Sequence, residues 1–247
     1  MKYLFLIITF SCFLFVQESG ANFLPDRDND GVPDFDEENI YMTDPDKADT
    51  DGDGYGDKEE LVNGYSPHTR DNIKLEDSDI DSDGLSDRME FNFGTNIKVA
   101  DTDGDGYSDG EEIDNAYDPL EIDKIKLGKR IEIDVARQEL SYFLRGVRMD
   151  TFMVSSGVNN TTPRGHSQIY NKHPRAWSSY GLWMPYWMAI SDTGKYGIHE
   201  LPVWPNGQRE GEDSLGAPVS HGCVRLGTNS AKLMYEWAEV GTPVFIY

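Results

Sequence analysis

Ser220-His221-Gly222-Cys223-Val224-Arg225-Leu226 holds one of the two cysteines in a chain of 247 residues. A nucleophilic cysteine needs a base to take its proton and donors to hold the developing oxyanion. Two histidines are candidates for the base. His221 lies two residues before Cys223, so on a strand both side chains share one face. His199 lies 24 residues upstream in Gly197-Ile198-His199-Glu200-Leu201-Pro202. Gly222 allows backbone N–H groups to approach a carbonyl closely, and Arg225 can grip a carboxylate in a two-point fork. A free cysteine is otherwise most often a small buried hydrophobe. Zinc is a third reading, with His166, His173, His199, His221 and Cys223 on hand, although their spacings follow no zinc-ligand pattern. Residue chemistry alone leaves these readings open.

Outward from this stretch the chain reads as a β-domain. Ile131, Ile133 and Val135 alternate with Glu132 and Asp134, the pattern of a half-buried strand. Leu140–Leu144 and Val147–Val154 read as two more strands around the Arg145-Gly146 turn, and residues 166–171 as a short one. Near the end, Asn229 or Ser230 is placed to cap a helix carrying Leu233, Met234, Trp237 and Val240, with Gly241 as its stop and Pro243–Tyr247 as a closing strand. The aromatics Trp177, Tyr180, Trp183, Tyr186 and Trp187 are expected mainly to pack over the sheet, lining a groove being the alternative.

The front of the chain is a different object. Residues 26–120 hold 31 acids and 7 bases, whereas residues 121–247 are almost balanced. No basic stripe exists to neutralise phosphates, which excludes nucleic acid as a partner. The acids are in phase. The spacing D-x-D-x-D-G-x-x-D-x-x-E occurs four times: Asp26, Asp28, Asp30, Asp34, Glu37; Asp49, Asp51, Asp53, Asp57, Glu60; Asp79, Asp81, Asp83, Asp87, Glu90; and Asp101, Asp103, Asp105, Asp109, Glu112. Ca²⁺ takes six to eight hard oxygens. Carboxylates at loop positions 1, 3 and 5 wrap the ion, glycine at 6 permits the reversal, and glutamate at 12 closes the shell. All these acids are therefore candidate Ca²⁺ ligands, and the ion is a structural cofactor. Mg²⁺ suits such a cage poorly. Between Glu37 and Asp49 there is no room for the two helices of a paired EF-hand. With so little apolar surface, ion binding supplies much of the arm's folding free energy, and chelation is expected to disorder it.

The first residues look like a targeting signal. Lys2 precedes an apolar run from Tyr3 to Val16, and Ser19-Gly20-Ala21 supplies small residues for cleavage. The run is too short to span a membrane. Lipidation at Cys12 is a weaker reading than simple cleavage. Export then leaves Cys223 as a lone thiol with no internal disulfide partner.

Ser-His-Gly-Cys-Val-Arg-Leu, preceded by Gly-Ile-His, resembles the signature of YkuD-type L,D-transpeptidases. The likeness runs over residues 126–247 and takes in the Thr162-Pro163-Arg164-Gly165 turn, the Met184–Met188 segment and the terminal helix and strand. The acidic array resembles thrombospondin type 3-like calcium repeats of bacterial surface proteins, without the cysteines of the animal versions. These resemblances imply a mainly β catalytic domain, an L,D-transpeptidase-like β-sandwich with short helices, behind an irregular loop-helix calcium-repeat array. The expected organisation is a signal peptide over 1–21, repeats over 22–120, a hinge over 121–130 with Gly128 as its flexible point, and the catalytic domain over 131–247. They also imply an exported enzyme of the periplasm or cell-envelope surface with no membrane span after cleavage. Its partners would be peptidoglycan stem peptides, a donor tetrapeptide and an amine acceptor. Carried over by position, Cys223 is the nucleophile, His199 the base, His221 and Ser220 shape the pocket, the amides of Gly222 and Cys223 form the oxyanion hole, and Arg225 orients the donor. With water as acceptor the same site is an L,D-carboxypeptidase. A non-catalytic calcium-dependent adhesion module is the remaining reading. Two departures stand out: many relatives have glycine where this chain has Glu200, and residues 203–219 form a long polar insertion.

Overall fold

A computed structural model describes residues 24–247; the leader read over residues 1–21, with Cys12, lies outside them. The chain divides into two compact units, one ending at Ile73 and the other Lys74–Tyr247. The first holds the first two acidic loops, and the second holds the third and fourth loops with the whole β-sheet. Among the described residues no helix is long and apolar enough to cross a membrane.

Each acidic loop runs into a short helix: α1 (Asp34–Asp36, continued by a π-turn at Glu37–Tyr41), α2 (Asp57–Asn63), α3 (Asp87–Phe93) and α4 (Asp109–Asp114). The aspartate at loop position 9 opens each helix, where a negative side chain suits the positive end of the helix dipole. Gly64 and Gly94 end α2 and α3 in the left-handed region.

The second unit carries nine strands: β1 (Lys129–Asp134), β2 (Glu139–Leu144), β3 (Val147–Ser155), β4 (Gly165–Gln168), β5 (Asn171–Trp177), β6 (Trp183–Ala189), β7 (Gly197–Glu200), β8 (Val224–Leu226) and β9 (Pro243–Ile246). They form one mixed sheet in the order β4-β9-β1-β2-β3-β8-β7-β6-β5. A register shift at Tyr142/Phe143 bends the β2–β3 ladder, and the long strand β3 pairs with β2 at one end and β8 at the other. Helix α5 (Thr228–Trp237) lies on this sheet, burying Ala231 and Met234. The core joins Ile131, Ile133, Leu140 and Val154 to Met188, Ile198, Val224 and Leu226, with Met234 and Val244. The mainly β character expected from the sequence is present.

Some expectations need correction. α5 starts at Thr228 after Gly227, and no side chain caps it; neither Asn229 nor Ser230 does so. Leu233 and Val240 are exposed, and the residue after the helix, Ala238, is already extended. Gly241 instead turns the chain into β9, its N–H donating to Ile169 O at 2.8 Å. The segment 121–130 is not a loose hinge. Leu127 is buried, its N–H donates to Ala116 O at 2.8 Å, Arg145 N–H donates to Gly128 O at 2.9 Å, and Lys129 already belongs to β1. Leu127 and Leu144 share a second core with Leu85, Phe93, Ile113 and Ala116 from the third and fourth repeats. Buried apolar contact welds what charge composition alone divides.

Candidate active site

β7 and β8 are neighbouring parallel strands, with Ile198 opposite Val224 and His199 opposite Arg225. Continued one residue back, this register puts Cys223, the residue just before β8, level with Gly197, two residues before His199 and on the same face of the sheet. Cys223 is a free thiol, half-buried. The Gly197 amide hydrogen-bonds to it, and this and the Arg225 charge favour the thiolate, yet burial outweighs both and pushes the thiol up. His199 is 2% exposed. Its Nδ1 is 2.5 Å from Glu200 O. A carbonyl only accepts, so Nδ1 carries the proton and Nε2 keeps its lone pair. Burial, aided by Arg225, lowers His199 to about 4 against the opposing pull of that carbonyl. The resting site is thus a neutral thiol and a neutral imidazole lining one cavity. Trp187 stacks on the imidazole with ring centroids 5.8 Å apart. Gly197 is obligatory here: a Cβ would sit 2.6 Å from the Trp187 ring.

Ser220 is buried, and its role is to fold the turn. Its Oγ donates to Cys223 O at 2.6 Å and accepts Gly222 N–H at 3.0 Å. The Gly222 amide, read from the sequence as an oxyanion donor, is therefore already engaged. Gly222 itself has φ 128°, and a Cβ would lie 2.4 Å from the Tyr196 ring. His221 is exposed and stacks on Tyr180, centroids 4.2 Å apart.

Two cavities meet at Cys223. One, about 230 Å³, is lined by Tyr180, His199, Glu210, His221, Cys223 and Arg225 among others. The second, about 430 Å³, is lined by His173, Trp177, Tyr180, Trp187, Lys195 and Cys223 among others. The aromatic cluster therefore divides: Trp187 is buried, while Trp177 and Tyr180 are exposed on the cavity walls.

Arg225 is not free. Its Nη1 lies 2.7 Å from Glu210 Oε2, and Arg209 Nη1 lies 2.6 Å from Glu200 Oε1. The 203–219 insertion thus clamps both strands of the site through two consecutive residues of opposite charge. The insertion and Glu200 stand out in the sequence, but Arg209 and Glu210, nine and ten residues after Glu200, carry no motif that marks them.

In all four acidic loops the carboxylates at positions 1, 3 and 5 converge, with ligand atoms within 4.8 Å of one another. Glu37, Glu60, Glu90 and Glu112 are buried beside them. Both oxygens of Glu60 and Glu90, and one each of Glu37 and Glu112, have no hydrogen-bond partner among the described residues. Burial raises Glu90 to about 9 and Glu60 to about 8, with the neighbouring aspartates adding to the rise. Orphaned, hard, mutually repelling oxygens at this spacing fit a divalent cation such as Ca²⁺. The ninth-position aspartates do other work. Asp57 and Asp109 each accept the N–H and Oγ1–H of a threonine, Thr50 and Thr102. Asp87 accepts Ile80 N–H, and Asp34 binds Arg27. They brace the loops rather than join the converging groups.

Residues 128–246 match the family described as L,D-transpeptidase catalytic domain (YkuD). This segment is similar to that family's catalytic domain. The second and fourth acidic loops match the bacterial TSP3 repeat over residues 49–64 and 101–115. YciB of Bacillus subtilis (strain 168), named as an L,D-transpeptidase, is 29% identical over 128 residues, 48% of this chain and 66% of that protein. Among solved structures, an L,D-transpeptidase from Mycobacterium smegmatis is 21% identical, with a TM-score of 0.43 over 49% of this chain and 59% of that one. Another from Stackebrandtia nassauensis is 28% identical, with a TM-score of 0.40 over 50% and 57%. The chain thus spans just under two thirds of the YciB length and about three fifths of these structures. The matched range takes in β1 and β9 as well as the Cys223 turn, so sheet and site fall in one matched segment.

Proposed function

We propose that this protein is an exported L,D-transpeptidase that acts on peptidoglycan stem peptides through a Cys223 acyl-enzyme, with Ca²⁺ ordering its acidic repeats. One observation carries the reading: a buried His199 on β7 and the Cys223 thiol just before the paired strand β8 line one cavity, and a second cavity opens at the same thiol.

Cys223 attacks the amide that joins the third residue of a tetrapeptide stem, commonly diaminopimelate, to its terminal D-alanine. His199 Nε2 takes the thiol proton as the S–C bond forms, and returns a proton to the leaving amine as the C–N bond breaks. D-alanine departs and a thioester remains. An amine from a second stem captures it and regenerates the thiol. Water in place of that amine would make the site an L,D-carboxypeptidase. With Gly222 N–H held by Ser220, the Cys223 amide is the oxyanion donor from this turn. The two cavities suit a donor and an acceptor that approach one sulfur from different sides. Asp26, Asp28 and Asp30, with Glu37, would hold one Ca²⁺, and the corresponding residues of the other loops the rest; the ion supplies charge neutralisation and rigidity.

Purified protein incubated with a tetrapeptide muropeptide in Ca²⁺ should release D-alanine and show a Cys223 adduct by intact mass. Cys223→Ala should abolish both. Unchanged muropeptide products from that variant would refute the reading.

A further inference from the structure

Arg225 carries a feature that simple carboxylate capture does not need. It is 8% exposed, Nη1 is paired with Glu210, and Nε has no partner among the described residues. Glu210 uses Oε2 for this pair, and its side chain remains a quarter exposed on the cavity wall beside Cys223. Its position is set by backbone. Residues 203–209 form a tight turn with Val203 bridged to Arg209, Trp204 N–H donates to Gln208 O at 2.7 Å, and Glu210 N–H donates to Pro202 O at 2.9 Å. Arg209 is pinned in turn by Glu200 and Thr228. The pair is built into the strands rather than formed by two mobile surface chains.

A lone arginine would draw any carboxylate. Beside Glu210 the site has no net charge, and an incoming carboxylate meets repulsion as well as attraction. A bare ammonium meets the reverse. A head group with ammonium and carboxylate on one carbon satisfies both partners, completing a head-to-tail ring of opposite charges. We propose that Glu210, through its pair with Arg225, is a specificity-determining residue that selects peptides presenting a zwitterionic amino-acid head group over those presenting either charge alone. This deepens the transpeptidase reading and rests on it only for turnover.

The test uses full-length protein with Ca²⁺ and four synthetic stem tetrapeptides. Their third residue is diaminopimelate, the same residue amidated on its distal carboxyl, lysine, or 2-aminopimelate, which lacks the distal amine. Wild type should show a KM about tenfold lower for the zwitterionic donor than for the others, the scale of one charge-assisted hydrogen bond. Glu210→Gln should raise KM for diaminopimelate about tenfold and improve 2-aminopimelate, with the effect falling on KM rather than kcat. Arg225→Lys, which keeps the charge and loses the fork, should weaken the two donors with a free distal carboxylate, diaminopimelate and 2-aminopimelate, more than the other two. Equal KM across donors in wild type, or a Glu210→Gln loss that falls on kcat equally for all four, would overturn the proposal. Calorimetric titration of the same peptides into Cys223→Ala reads discrimination without turnover. Discrimination there with no acylation of wild type would sink the enzymatic reading alone; equal or absent binding would sink this one.

Discussion

Asp83 of the third acidic loop accepts the backbone N–H of Gly110, 27 residues on, through Oδ2 at 2.7 Å. Ser108 at the start of the same helix reaches Asp83 O at 3.4 Å. A Cβ at position 110 would lie 2.6 Å from that same carbonyl oxygen. The third and fourth loops are therefore fitted to each other through one aspartate. Gly110→Ala should destabilise the Lys74–Tyr247 unit by about 1–3 kcal/mol, the scale of an overpacked site. Thermal unfolding with Ca²⁺ present reads this, and an unchanged melting temperature would contradict it.

Removing calcium should reach the sheet. Leu85, Phe93 and Ile113 lie within three residues of candidate ligands of the third and fourth loops and share one core with Leu127 and Leu144. Each occupied site adds roughly 2.7 kcal/mol at a free ion concentration a hundred times its Kd. EDTA should therefore lower the melting of the transpeptidase domain itself, followed by near-ultraviolet circular dichroism of its tryptophans. Phe93→Ala should cost about 3–5 kcal/mol in the same transition. A tryptophan signal that ignores EDTA would show that the repeats and the sheet do not fold together.

The Cys223 turn tolerates no side chain at position 222. Gly222 sits at φ 128°, and its Cα also lies 2.8 Å from a Cβ built on Gly157. Gly222→Ala should keep the fold but shift the sulfur enough to slow acylation about a hundredfold. Burst-phase D-alanine release is the measurement, and near-normal acylation would mean that the turn is softer than its contacts imply.

The pH profile follows from burial. His199 is lowered to about 4 and Cys223 is raised. The base stays available down to about pH 4, so kcat/KM should hold level from about pH 8 to 5, where an exposed imidazole would already fail near 6.5. Stability has its own sign. Above pH 6.5 His199 is neutral in both the folded and unfolded chain and contributes no slope. From about 6.5 down to 4 the unfolded chain binds a proton that the folded chain refuses, so stability is lost as pH falls. His199→Gln should flatten that loss. An acid limb of kcat/KM at 6.5 would exclude a buried base.

What could be read in sequence was what is contiguous in it. The acidic loops and the Cys223 heptapeptide carry their chemistry within a dozen residues, β1 announces itself by alternation, and β2, β3 and β9 by short apolar runs around the Arg145-Gly146 turn and at the chain's end. The strand β6 reads poorly because Trp183–Ala189 is apolar on both faces. The Arg209–Glu200 and Glu210–Arg225 pairs were not legible, since each joins residues that only the β7–β8 pairing and a tight turn bring together. The ninth-position aspartates look like ligands by spacing, yet Thr50 and Thr102 claim Asp57 and Asp109. The expected hinge failed for a related reason: charge composition shows where polarity changes, not where Leu127 finds a core.

That shared core bears on when the enzyme becomes complete. A newly made chain in a compartment poor in divalent ions would carry its sheet with one flank unfinished. Delivered to surroundings rich in calcium, the flank would close without any processing step. The ion content of the surroundings would then act as the maturation signal.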